Sequence, residues 1–183
     1  MTRSARPLVA AVLTALVLAG VSAATQSVSA PGLKAGYLFT FTKFVEWPAD
    51  VVPAGAPLSL CVVNDSAVAY LLAQTIRGRS VDGHSLTVRH VKPDTPLATC
   101  HVLYLTGSDR KRALDIVGNL EDELVLTVSD AAGFARTGGM VELFIEEDRM
   151  RFAVNVDALE RAHVRLSSRV LALAKIVRDD VTP

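Results

Sequence analysis

Leu58–Val63 reads LSLCVV, six residues in which only Ser59 is polar. A short aliphatic run of this kind, bounded by turn residues, fits a central strand covered on both faces. Pro53, Gly55 and Pro57 make the segment before it a loop. Asn64-Asp65-Ser66 follows it, and then a helical stretch from Ala67 to Ile76. Further on, Gly78 and Asp82-Gly83 mark turns. Ser85–Val91 (SLTVRHV) alternates, with Leu86, Val88 and His90 on one face, which suits an edge strand. His101–Leu105 is a second aliphatic run. Thr106-Gly107-Ser108-Asp109 leads from it into a helix to about Asn119. Leu124–Val128 is a further strand and ends in Ser129-Asp130. Strands that alternate with helices predict a three-layer α/β fold, a mostly parallel sheet flanked by helices.

The C-terminal part adds a β-hairpin after the glycine-rich loop Gly133–Gly139. A turn at Glu147-Asp148 sets Ile145 against Met150, Leu143 against Phe152 and Val141 against Val154 on one side. The other side pairs Glu146 with Arg149 and Phe144 with Arg151. Every facing pair is apolar or compatible, so the register is self-consistent. Asn155-Val156-Asp157 opens a short helical segment to His163. Ser167 or Ser168 caps a last helix, read as running to about Arg178. Val170, Leu173, Ala174 and Val177 form its apolar face, which Leu171 and Ile176 widen.

Upstream, Lys34–Pro48 reads KAGYLFTFTKFVEWP and holds five of the chain's ten aromatic residues. Tyr37, Phe41, Phe44 and Val45 share one helical face, with Leu38 beside them. Pro48 stops the pattern, which gives a first helix over about 32–46. Its main duty is to close the core. Phe39, off the main face, and Trp47 are candidate partner contacts, as are Leu171 and Ile176 on the last helix.

At the start of the chain, Arg3 and Arg6 precede the apolar run Leu8–Ala19, and Val21-Ser22-Ala23 offers a small-x-small cleavage site. The expectation is a secretory signal over 1–23, a loose leader over 24–31, one domain over 32–178 and a tail over 179–183. Cleavage would remove two basic residues and leave 17 basic against 19 acidic. A near-neutral chain with no basic block argues against nucleic acid as a partner. The export signal implies an oxidising compartment, where an even cysteine count favours a disulfide between Cys61 and Cys100. A Cys100-His101 thiol–imidazole pair is weaker, since neighbours in a strand point to opposite faces. A metal site would need more ligands than these cysteines and scattered histidines supply.

Three strand ends carry similar polar turns: Asn64-Asp65-Ser66, Gly107-Ser108 within Thr106–Asp109, and Ser129-Asp130. The crevice at the C-terminal ends of parallel strands is where such folds bind ligands. Helix capping alone also explains these residue types. No nucleophile elbow, phosphate loop or dinucleotide fingerprint is present, so no enzyme, cofactor or metal is expected.

Several blocks together resemble the YfiR family. Lys34, Ala35, Tyr37, Leu38, Phe41, Phe44, Trp47 and Pro48 fit its opening signature. Leu60-Cys61-Val62-Val63, Cys100–Leu105, Leu126–Asp130 with Gly133-Phe134, the hairpin, and Leu166-Ser167-Ser168 with Leu171, Leu173 and Ala174 follow in order. The resemblance implies a periplasmic, dimeric, non-catalytic repressor. It would bind the periplasmic sensor domain of an inner-membrane diguanylate cyclase and be released by an outer-membrane lipoprotein. The match of Cys61 and Cys100 to the family's cysteine pair supports the disulfide. A further pair found in some members is absent, which puts any switching that relies on it in doubt. An alternative function is small-ligand binding at the strand-end crevice.

Overall fold

The computed structural model describes residues 30–120 and 123–179. The signal segment 1–23, residues 24–29 of the leader, Glu121, Asp122 and residues 180–183 of the tail lie outside the described residues.

The chain opens with α1 (Ala30–Phe44) and β1 (Val45–Glu46), followed by β2 (Leu58–Val63) and α2 (Ser66–Ile76). Then come β3 (Ser80–Val81), β4 (His84–Val91) and β5 (Val102–Leu105). A 3-10 turn at Gly107–Asp109 leads into α3 (Arg110–Gly118), and β6 (Leu126–Ser129) follows. A second 3-10 turn, Phe134–Thr137, precedes β7 (Val141–Glu146) and β8 (Arg149–Asn155). The chain closes with α4 (Val156–Arg161), β9 (Arg165–Leu166), α5 (Ser168–Leu171) and β10 (Lys175–Val177).

Eight strands form one sheet in the order β10-β8-β7-β6-β5-β2-β4-β3. Five neighbouring pairs are parallel, and only β7–β8 and β3–β4 are antiparallel. This is the expected α/β architecture. β2 lies between β4 and β5, as its largely apolar run requires. Leu58, Leu60 and Val62 enter the core beneath α1 and α2, whereas Cys61 and Val63 enter a second core beneath α3. Val102 and Tyr104 divide from Leu103 and Leu105 in the same way, so the two-residue period supplies both faces. β4 is covered by only two residues of β3, at Ser80↔Ser85 and Val81↔His84, so most of it is an edge.

The hairpin has the register read from the sequence, with Ile145↔Met150, Leu143↔Phe152, Val141↔Val154, Glu146↔Arg149 and Phe144↔Arg151. Glu147 and Asp148 both have positive φ, 50° and 57°, the geometry of a turn whose twist matches the strands.

Two helix readings need correction. The first helix ends at Phe44 rather than near residue 46, because Val45 and Glu46 pair with Leu166 and Arg165 of β9. The last helix does not reach Arg178. It stops after one turn at Leu171, and Lys175–Val177 pairs in parallel with Ala153–Asn155. Helical propensity is a weak prior, and here the sheet edge outbids it. Polar clamps at the end of β10 fix the outcome. The Asp179 N–H donates to Asp157 Oδ2 at 3.2 Å, and Asn155 Nδ2 donates to Asp179 Oδ1 at 2.6 Å. Arg178 pairs with Asp157 and Arg161 with Asp179. The tail was expected to start at Asp179, which is instead tied to α4.

Candidate functional site

Because β6, β5 and β2 are adjacent and parallel, their C-terminal ends lie side by side. What assembles there is a closed polar knot. Asp130 accepts hydrogen bonds from the Tyr104 hydroxyl at 2.8 Å and the Gly107 N–H at 2.6 Å. Its second oxygen lies 2.6 Å from Lys34 Nζ, which reaches over from the first turns of α1. Gly107 is needed there: a Cβ would sit 2.7 Å from the backbone of Asp130 and Ala131. Burial pushes the Asp130 carboxyl up, but the bonds from Lys34, Tyr104 and Gly107 outweigh it and hold the group below its usual range. Burial and the charge of Asp130 push the Tyr104 phenol far up, so it stays a neutral donor.

Of the other strand-end residues, Asp65 and Ser129 cap the chain's own backbone. Asp65 Oδ1 accepts from the Val68 N–H at 3.0 Å, and Ser66 begins α2. Ser129 Oγ accepts from the Ala131 N–H at 3.0 Å and is fully buried. Ser108 lies 3.4 Å from the Thr106 hydroxyl. Asn64 turns the chain with φ of 55°. The hollow between Asn64, Thr106 and Arg112 measures about 10 Å³, room for a water and little else. A more open hollow of about 410 Å³ runs outward from Asn64 and Ser66 past His90 and Lys92. Sequence reasoning missed Lys34 and Tyr104. The available signal was a lone hydroxyl within a fully apolar strand, which must find a partner when buried.

Among the partner candidates, Phe39 is not off the buried face. It is 8 % exposed, with Lys43 Nζ at 5.2 Å and the Arg79 guanidinium at 5.0 Å from its ring centroid. α1 packs against both the sheet and α2, so its buried arc is wider than one stripe. Trp47 is half-buried. Its ring meets His101 edge-on at 5.5 Å, and its Nε1 donates to the Thr42 carbonyl at 3.3 Å. His101 Nδ1 accepts from the Ser59 N–H at 2.9 Å, which requires a neutral ring.

The outer edge of the sheet is different. Leu171 is half-buried, Ile176 is 48 % exposed, and Leu173, read from the sequence as part of the apolar face of a last helix, lies past the end of α5 and is 78 % exposed. β10 is the last strand in the sheet order, and its outer edge carries no strand among the described residues. A free strand edge beside large exposed apolar side chains is equipped to take up another chain.

Residues 31–175 match the family model described as YfiR/HmsC-like. The chain belongs to the YfiR/HmsC-like family. That match spans every element from α1 to the start of β10. In this YfiR/HmsC-like chain Cys61 and Cys100 form a disulfide, with Cα atoms 5.8 Å apart. It fastens β2 to the loop that leads into β5, within the core beneath α3.

Proposed function

We propose that this chain is an exported regulator that holds an inner-membrane diguanylate cyclase inactive by touching its periplasmic domain, and so limits cyclic-di-GMP synthesis. Membership of the YfiR/HmsC-like family is the observation that carries this reading. The exposed apolar edge supports it, because a protein that acts through contact needs such a surface. Leu171 and Ile176 belong to that surface, with Trp47, three residues past the end of α1, a further candidate. An outer-membrane lipoprotein that relieves repression, and a homodimeric state, complete the proposal.

Deletion of the gene should raise cyclic-di-GMP, and re-expression of the wild-type chain should lower it again. Re-expression of Ile176→Glu, present in the periplasm at the same level, should not. A deletion that leaves cyclic-di-GMP unchanged would overturn the regulatory reading. Ligand binding at Gly107 and Asp130 has less to recommend it, since a ligand there would have to displace Lys34 from Asp130; the open hollow beside Asn64 and Ser66 is where the small-ligand alternative would be tested.

A further inference from the structure

A cleft between α1, β8 and α5 encloses about 290 Å³. Its walls are Tyr37, Phe41, Phe44, Phe152, Val170 and Leu173. The rings of Tyr37, Phe41 and Phe152 brace one another at centroid distances of 5.9, 5.7 and 5.2 Å, so these walls are set before anything enters. The hydroxyls within reach are already donated: Tyr37 to the Met150 carbonyl at 2.8 Å and Thr40 to the Gly36 carbonyl at 2.9 Å. The interior therefore favours hydrocarbon.

Two more residues line the cleft, Arg151 and Arg169. Both are exposed. Among the described residues neither guanidinium has a carboxylate partner, and the cross-strand neighbour of Arg151 is Phe144. Leu173 stands at the same cleft, 78 % exposed, with nothing among the described residues to cover it. An apolar chamber beside two unpaired cations sets the chemistry of its occupant.

We propose that this cleft binds a small amphiphilic monocarboxylate. Its unfunctionalised hydrocarbon body fills the aromatic chamber and covers Leu173, and its carboxylate is held by Arg151 and Arg169. Charge complementarity selects an anion, and guanidinium forks match a carboxylate in geometry. The internal hydroxyls have no proton left to donate, which disfavours a body carrying acceptor groups of its own, because a buried polar group without a partner is costly. The volume, at the small end for ligand sites, selects a small acid over a bulky cofactor. The site lies apart from the strand-end crevice, and its occupation does not depend on the cyclase reading.

The test is calorimetric titration of the purified mature chain with decanoate and with 4-phenylbutyrate, alongside decanol and 4-phenylbutanol. At least one acid should saturate at one site per chain below about 1 mM, within the range of weak ligands. The matching alcohol should bind about fivefold more weakly, the upper end for exposed ion pairs. Arg151→Ala and Arg169→Ala should each weaken the acid and leave the alcohol unchanged. Leu173→Glu, at an exposed position that leaves folding intact, should abolish both. Failure of both acids to saturate, acid and alcohol of equal affinity, or wild-type acid affinity in both arginine variants would overturn the proposal. Ile176→Glu, outside the cleft lining, separates this result from the partner reading, since it should leave acid binding unchanged.

Discussion

Lys34 Nζ lies 2.6 Å from Asp130 Oδ2 and ties the start of α1 to the end of β6. Both side chains are largely buried, at 15 % and 26 % exposed. The remaining capacity of the carboxylate is used by Tyr104 and the Gly107 N–H.

Lys34→Met should therefore destabilise the fold, by about 2 kcal/mol, because it leaves a buried carboxylate short of its strongest partner. Urea unfolding at pH 7 measures this. The folded-state pKa of Asp130 is depressed below the ordinary 3.8, so its contribution is complete above that value and is lost as pH falls through the folded pKa. The gap between wild type and Lys34→Met should shrink in that acid range. A gap independent of pH would show that the lysine acts through its hydrocarbon stem.

His101 gives the opposite end of the same argument. Burial lowers its pKa from the ordinary 6.5, and the nearby His84 lowers it further. Above pH 6.5 both folded and unfolded chains hold it neutral, and the stability it permits is complete. As pH drops below 6.5 the unfolded chain takes up the proton first, so stability falls until the folded pKa is passed. Protonation would also end the bond from the Ser59 N–H to Nδ1. His101→Gln should flatten the stability profile on the acid side of 6.5, as read by thermal melts across pH.

How much of this was legible depended on distance along the chain. The hairpin was readable because its pairs are local, so a single turn position fixes every contact from Val141↔Val154 to Glu146↔Arg149. The aliphatic strands were readable because burial on both faces leaves no polar period. The Lys34–Asp130 bond was not readable. The two residues are far apart in sequence, and each has a bland local explanation, a helix start and a cap. Phe39 was misread because a single stripe was assumed for a helix packed on several sides. Leu173 and Ile176 were misread because Val170–Val177 has a good helical pattern, and only the free edge of β8 together with the clamps at Asp157 and Asp179 makes a strand of its end.

The hairpin turn itself is poorly served by its residues. Glu147 and Asp148 adopt φ of 50° and 57°, a region that side chains larger than glycine enter at a cost. Asn-Gly is the preferred pair for such a turn. Glu147→Asn with Asp148→Gly should stabilise by about 1 kcal/mol, visible as a rise in melting temperature of roughly 3 °C. An unchanged or lowered melting temperature would mean that the two acidic side chains contribute more than their backbone strain costs.

The disulfide should contribute more than any of these contacts. Cys61 and Cys100 are 39 residues apart, so their bond removes a long loop from the unfolded ensemble. The chain-entropy model puts this at about 4 kcal/mol. The two residues are 1 % and 2 % exposed, packed among Val63, Leu103 and Ile116. A reductant therefore reaches the bond only when the core beneath α3 opens, and native protein should resist mild thiol until it is warmed or treated with urea. Cys61→Ala with Cys100→Ala should lower the unfolding free energy by about 4 kcal/mol with little change at the β10 edge, which lies on the far side of β5, β6, β7 and β8. A loss below about 1 kcal/mol, against that same loop-closure figure, would mean that the reduced chain already holds β2 and the loop before β5 together through packing alone.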